Sequence, residues 1–163
     1  MLLLLILYGA MLTLPANCSQ GKVERNGMTV KWKIKYERIH FEMEAPTDGW
    51  LAIGFNEKEG LVGTNLIMGA VKNNQVTMTD DFIVSFGNPQ PIEKLGGSNQ
   101  LSDQKGKEQE GRTTIVFSMP IEAADEFHID LKKGKTIHLL IAYSTSDDFD
   151  HHSIMRTSAE ITL

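Results

Sequence analysis

The sequence predicts an all-β protein, an antiparallel β-sandwich of about eight to ten strands. Three observations predict it: apolar residues alternate with polar ones at a period of two, turn residues recur at short intervals, and helical periodicity is weak throughout. The chain has 163 residues, of which 41% are hydrophobic and 23% are charged. This composition fits one globular domain with a single core.

The first strands show the pattern most clearly. Apolar residues occupy the even positions of residues 30–36 and the odd positions of residues 39–45. Because one slip of register moves a strand's side chains to its other face, the change predicts a tight turn or bulge at residues 36–38. Residues 46–49, Pro-Thr-Asp-Gly, form a turn before the apolar run 50–55, which predicts a buried strand.

The later elements follow the same logic. Residues 66–71 and 76–82 flank Lys-Asn-Asn-Gln and predict a hairpin, since asparagine tolerates the left-handed conformation of a tight turn. The polar segment 87–112 predicts a long surface excursion. Strand composition returns at residues 113–119, 135–143 and 159–163, and residues 122–127 are the best candidate for a turn of helix.

Residues 1–17 are predicted to be a signal peptide, because residues 2–14 are almost entirely apolar and no charge precedes Lys22. A plain membrane anchor is the alternative. The sequence before Cys18, Leu-Pro-Ala-Asn, resembles the lipobox of bacterial lipoproteins, which predicts lipidation of Cys18; simple cleavage nearby is the other interpretation. Residues 18–163 then form one exported domain, located in a periplasm, at a cell surface or on a membrane through the lipid.

Charge and cysteine content exclude several classes of function. The net charge of −5 argues against nucleic acid as the main partner and against direct binding to anionic membranes. A single cysteine excludes an internal disulfide framework and a CxxC zinc site. Nucleophile-elbow, phosphate-loop, zinc-protease and dinucleotide motifs are missing, and Asp80 with Asp81 fits a surface turn better than an acid–base pair. We therefore expect a protein that is not an enzyme.

The main polar cluster is the segment 147–152, Asp-Asp-Phe-Asp-His-His. It would suit a divalent metal or form a solvated acidic turn, and adjacent His151 and His152 point in different directions on an extended backbone. The other histidines, His40, His128 and His138, fall on predicted strands, where packed or surface positions are expected. Among the eight methionines, Met68 and Met155 are placed where a histidine can be near.

Four segments in this order resemble the DOMON domain, a family of extracytoplasmic proteins that includes the cytochrome domain of cellobiose dehydrogenase. They are residues 49–56 (GWLAIGFN), 63–70 (GTNLIMGA), 111–120 (GRTTIVFSMP) and 141–143 (IAY) ahead of His151 and His152. The resemblance covers nearly all of residues 18–163. It implies an immunoglobulin-like β-sandwich whose pocket holds a b-type haem for electron transfer or, in other members, a sugar.

The resemblance also implies site residues. Haem-binding members use a Met and a His as axial ligands, and the His maps to His152 or its neighbour His151. The usual Met position holds Leu61 and Val62, which cannot bind iron, so Met68 is the candidate substitute. Trp50, Phe55 and Met155 are expected to line the pocket. No metal beyond haem iron is expected.

The leading hypothesis is therefore an exported module that binds haem b and exchanges electrons with a redox partner protein. The alternative is a haem-free module that binds a sugar or another protein at the cell surface. A metal-dependent enzyme that uses the acidic histidine segment is a third hypothesis. The sequence assigns no role to the polar segment 87–112.

Overall fold

The computed structural model describes residues 19–163, which form eleven antiparallel strands in two sheets. The first sheet has the order β1-β2-β3-β9-β8 and the second has the order β11-β10-β4-β5-β6-β7. The strands are β1 (Ser19–Arg25), β2 (Met28–Lys35), β3 (Arg38–Ala45), β4 (Leu51–Asn56), β5 (Asn65–Lys72), β6 (Gln75–Ser85), β7 (Asn88–Pro91), β8 (Ser102–Gln109), β9 (Arg112–Pro120), β10 (Thr136–Tyr143) and β11 (Met155–Thr162). The predicted β-sandwich is confirmed.

The two sheets pack through an aromatic centre. The ring of Phe41 lies 5.1 Å from that of Phe55 across the sandwich and 5.3 Å from that of Phe117 on the neighbouring strand. Inward residues of β2, β3, β4, β9 and β10 surround these rings and are almost fully buried. The period-two pattern in the sequence therefore reports the face of each strand that meets the other sheet.

Two predicted reversals are confirmed. Tyr36 adopts a positive φ of 57° between β2 and β3, where the apolar pattern changes phase. Asn73 and Asn74 adopt φ values of 52° and 61° in the turn between β5 and β6. A two-residue turn with both φ values positive matches the right-handed twist of the strands that it joins.

Several sequence predictions are wrong. The segment 87–112 is no simple excursion, because it contains β7, a short 3-10 helix (Ile92–Leu95) and the edge strand β8. Residues 122–127 form bends and turns and no helix. The strand β1 was not predicted. Both β1 and β8 are edge strands with few buried residues, so they lack the apolar alternation that identifies a strand.

The predicted signal peptide and Cys18 lie outside the described residues. Within residues 19–163, no helix is long and apolar enough to cross a membrane.

Candidate functional site

The outer face of the second sheet carries its own apolar cluster, separate from the core between the sheets. Along β4, Leu51, Ile53 and Phe55 point into the core, whereas Trp50, just before the strand, and Ala52 point outward. Strands β4 and β5 are consequently buried on both faces, unlike an ordinary sheet of which one face meets water. Residues from the connecting loops, including Leu61 and Phe149, cover part of this outer face.

A cavity of about 250 Å³ lies within this outer cluster, and we call it the outer-face cavity. Its floor is formed by Ala52 and Ala142, which stand directly opposite each other on β4 and β10. Larger side chains, including Trp50, Leu66 and Met68, form its walls. The cavity exists because the two alanine side chains are too short to fill the space between their larger neighbours. Its volume is slightly below the roughly 300–1,000 Å³ of pockets that bury drug-sized ligands.

Residues 144–154, which we call the histidine loop, connect β10 to β11 and form one side of the cavity. The indole Nε1 of Trp50 donates a hydrogen bond to the backbone oxygen of His151 (3.2 Å). The hydroxyl of Ser144 donates one to the backbone oxygen of His152 (3.0 Å). The backbone of both histidines is thus held, while their side chains line the cavity and remain exposed to solvent.

The start of the histidine loop packs on Gly49 at unusually close range. The amide of Trp50 donates to Ser146 O and the amide of Ser144 donates to Trp50 O, both at 3.0 Å. A methyl group on Gly49 would lie 2.5 Å from Ser144 O and from Ser146 N. Glycine is required here because any side chain would push the two backbone segments apart.

We therefore expect Gly49→Ala to lower the free energy of unfolding by about 1–3 kcal/mol, as overpacking does. It should also loosen the histidine loop. Urea denaturation measures the first effect, and amide hydrogen exchange at residues 144–152 measures the second. Gly111→Ala, in the turn between β8 and β9 and outside the cavity, is the control: a methyl group there meets no atom within 4 Å. Its positive φ of 71° costs some stability in the variant, but hydrogen exchange in the histidine loop should stay as in the wild type. Unchanged exchange in the loop of Gly49→Ala would contradict the prediction.

The cavity brings together some of the residues predicted to form the site. Trp50, Met68, His151 and His152 all line it, and Met68 is only 6% exposed. Leu61 also lines the cavity; it occupies the position at which haem-binding members of the family have a methionine, according to the resemblance. Within residues 19–163 there is no group of three or more His, Cys, Asp or Glu side chains that would hold a metal ion.

Phe55 and Met155, which were expected to line the pocket, lie elsewhere. Phe55 is fully buried between the sheets against Phe41. Met155 stands opposite Tyr143 and packs against the main core. Both residues fall on strand positions that point inward, and sequence proximity to the motifs does not reveal this alternation.

Arg156 is a cavity residue that the sequence analysis missed. It stands opposite Ala142 in the β10–β11 register, is exposed, and lines the outer-face cavity from β11. Its guanidinium and the carboxylate of Asp150, which also lines the cavity, place both signs of charge at the edge of an apolar hollow. The guanidinium can pair with an acidic group of a ligand. The signal in the sequence is a single arginine three positions before the predicted strand 159–163, which is too common a pattern to identify a site.

A second buried polar cluster lies away from the cavity. His128 Nε2 is 3.2 Å from Asp80 Oδ2, and His128 Nδ1 is 2.6 Å from Asp125 Oδ1. Asp80 also accepts hydrogen bonds from the side chain of Asn65 (2.7 Å) and the amide of Gln100 (2.9 Å). The prediction of a surface turn for Asp80 and Asp81 is wrong, since both are buried in β6; His128 lies in a loop, not on a strand.

The contacts within this cluster shift the pKa values of His128 and Asp125. Burial disfavours the charged imidazolium, but hydrogen bonds and negative charge from Asp80 and Asp125 outweigh it and raise the pKa of His128. At Asp125, burial alone would raise the pKa of the carboxyl. Hydrogen bonds from His128, Ser98 and Phe127 outweigh burial and lower this pKa. The cluster ties the segments around Gln100 and His128 to the second sheet.

Curated relatives share the sequence of this domain over part of their length. The chain is 26% identical over 118 residues to "MOXD1 homolog 2" of Drosophila melanogaster, covering 72% of this chain and 15% of that protein. It is 27% identical over 138 residues to "DBH-like monooxygenase protein 2" of Mus musculus, covering 83% of this chain and 22% of that protein. The chain thus spans less than a quarter of these two relatives.

Two solved structures share the fold. The cytochrome b domain of pyranose dehydrogenase from Coprinopsis cinerea superposes with a TM-score of 0.60 at 10% identity, over 86% of this chain and 80% of that one. The cytochrome domain of Myriococcum thermophilum cellobiose dehydrogenase superposes with a TM-score of 0.59 at 8% identity, over 88% and 81%. At such identities the likeness concerns the fold alone.

The family itself is identified by a sequence model. The model of the DOMON domain matches residues 24–144, about three quarters of the chain, from β1 to the start of the histidine loop. This match agrees with the four segments that resemble the family and with the two-sheet fold. The chain belongs to the DOMON domain family.

Proposed function

We propose that this DOMON domain is a ligand-binding module, not an enzyme, and that its outer-face cavity holds a b-type haem that exchanges electrons with a partner protein. One observation carries the proposal: a thioether from Met68 and imidazoles from His151 and His152 border the same apolar cavity. The names of the two superposed structures, both cytochrome domains, support haem as the first ligand to test.

The residues present fit the chemistry of such a group. Thioether and imidazole are the axial pair of haem in high-potential cytochromes, and bound in this way haem supplies reversible one-electron transfer. Met68 would provide the thioether from a rigid strand, and His152 or His151 would provide the imidazole from the tethered loop. Arg156 would pair with an acidic group of the ligand. The apolar walls would shield one side of the haem from water and thereby help to set the reduction potential.

Haem titration of the purified protein tests this proposal. We expect an intense Soret band on reconstitution, weakened and shifted in His152→Ala or His151→Ala and in Met68→Leu. Met155→Leu and His138→Ala are matched controls, because these residues lie outside the cavity, and their spectra should equal that of the wild type. The absence of a Soret band, or equal changes in the control variants, would contradict haem binding.

A haem-free small ligand is the second candidate, and Leu61 favours it. Leu61 lies in the cavity wall at the position of the usual methionine and offers no donor atom to iron. An apolar cavity with Arg156 and Asp150 at its edge would then take a small molecule with an apolar face and a hydroxyl-bearing or acidic end, such as a sugar or a sugar acid. Calorimetric titration with a panel of sugars and sugar acids, alongside the haem titration, separates the two candidates.

Export stays part of the proposal. A signal peptide in residues 1–17 and lipid on Cys18 remain predictions, which mass spectrometry of the mature N-terminus would test.

A further inference from the structure

The outer face of the first sheet forms a second concave surface, on the side of the sandwich away from the outer-face cavity. A groove of about 730 Å³ crosses its five strands from β1 to β8. Four inter-strand spacings of about 4.8 Å make it roughly 19 Å long. We call it the lysine groove, after its charged lining of Lys22, Lys31, Lys33 and Lys105 with Glu42 and Asp103. The charge of this lining is +2, in a chain whose net charge is −5.

The lysines are placed where they repel one another. Lys22 and Lys31 stand directly opposite each other on β1 and β2, and like charges at such positions destabilise a sheet. Glu24 and Glu42 partly offset this repulsion through exposed ion pairs of 3.2 Å and 2.7 Å. Within residues 19–163, neither Lys33 nor Lys105 has an acidic partner within salt-bridge distance. An anion in the groove would relieve this repulsion.

The second carboxylate of the groove, Asp103, is held in its ionised form. The Ser118 hydroxyl donates to its carboxylate at 2.6 Å, and this bond, helped by the charges of Arg38 and Lys105, lowers the pKa of Asp103. Its negative charge is already counted in the lining charge of +2, so a surplus of two positive charges remains.

The other lining groups distinguish among anionic partners. The aromatic residues beneath the groove, Trp32, Phe41 and Phe117, are at most 6% exposed, so they provide no surface on which nucleobases would stack. The one aliphatic side chain in the lining is Val116, which is half-buried. It offers too little apolar area to insert into a lipid surface. The amide of Gln20 and the imidazole of His40 would instead bond to hydroxyl groups.

We propose that the lysine groove binds a linear acidic polysaccharide, whose sulfate or carboxylate groups meet the lysines and whose hydroxyls meet Gln20 and His40. The site is independent of the outer-face cavity, so its test does not depend on the proposed haem or sugar function. Lysine suits this task because its mobile point charge adapts to irregularly spaced anionic groups.

The test measures binding of heparin and of polygalacturonate, one sulfated and one carboxylated, by calorimetry with the full chain. We expect binding of at least one of them, weakening as NaCl rises from about 0.05 M to about 0.2 M. In Lys33→Glu/Lys105→Glu the affinity should fall on the order of tenfold or more. The control Lys58→Glu/Lys133→Glu changes the net charge equally at two exposed residues outside the groove, and it should bind like the wild type.

Three outcomes would overturn the proposal: neither polysaccharide binds, the control pair loses as much affinity as the groove pair, or polyglutamate or single-stranded DNA binds as tightly at equal charge. The last result would indicate an acidic protein or a nucleic acid as the partner. Uncharged dextran should not bind. Thermal unfolding of both double variants verifies that the fold is intact, which is expected because all four lysines are exposed.

Discussion

Replacement of His128 by leucine should lower the free energy of unfolding by about 3–5 kcal/mol, because it leaves the carboxylate of Asp80 buried without its cationic partner. The side chain of Asp80 is completely buried, and that of His128 is 2% exposed. Urea denaturation of the wild type and of His128→Leu measures the loss. His138→Leu is the control, since the side chain of His138 is 27% exposed and lies 3.8 Å from the exposed Glu160, so this variant should lose little stability.

A double variant separates the charge from the packing. In Asp80→Asn/His128→Leu the buried carboxylate is gone, so part of the lost stability should return. If the double variant is as unstable as the sum of the two single variants, the imidazole and the carboxylate do not interact energetically, and the explanation is wrong.

The same cluster should make stability depend on pH in a defined direction. The pKa of His128 is raised in the folded state above its ordinary value of about 6.5. The folded protein therefore holds this proton more tightly than the unfolded chain, and the resulting stabilisation is fully present below about pH 6.5. It is lost as the pH rises through the folded-state pKa. We expect the difference in unfolding free energy between the wild type and His128→Leu to shrink as the pH rises above about 6.5 and passes through the folded-state pKa.

Removal of the Trp50 side chain should have a comparable effect and should also disturb the site. Trp50 is 4% exposed, forms a wall of the outer-face cavity and donates to His151 O. Trp50→Ala should cost about 3–5 kcal/mol of unfolding free energy, as loss of a large buried aromatic residue does. Ligand binding in the cavity should weaken with it, because both a wall and the tether of the histidine loop are lost. Denaturant unfolding and haem titration measure the two effects.

A milder change distinguishes the two roles of Trp50. Trp50→Phe keeps an aromatic ring and loses the indole N–H, so we expect a loss of about 1–2 kcal/mol. Hydrogen exchange of the histidine loop should nevertheless increase nearly as much as in Trp50→Ala. If exchange in Trp50→Phe stays at the wild-type rate, the hydrogen bond to His151 O does not hold the loop.

The fold was predictable from the sequence wherever a strand has one face in the core. The alternation at residues 30–45 locates β2, β3 and the turn between them, and the asparagine pair 73–74 locates the β5–β6 hairpin. The edge strand β8, Ser102–Gln109, was not predicted because its side chains are almost all exposed. It pairs with β9 mainly through the backbone, so it shows no apolar alternation in the sequence. The same holds for β1.

The candidate site was predictable only in part. The order of the DOMON segments directs attention to Trp50, Met68, His151 and His152, and these residues do border one cavity. The outward position of Met68 and the inward positions of Phe55 and Met155 depend on the register of three strands. In a run such as residues 50–55, where both faces are buried, hydrophobicity does not tell one face from the other.

By itself the sequence determined the two-layer architecture, the family and the absence of a disulfide framework, because composition, period and turn chemistry act locally along the chain. Only the tertiary structure placed Arg156 across from Ala142, joined Asp80 to His128 over 48 positions and aligned the lysines of β1, β2 and β8 in one groove. These contacts join residues far apart in the chain. Strand order and register create them, and both are set by the packing of the whole sandwich.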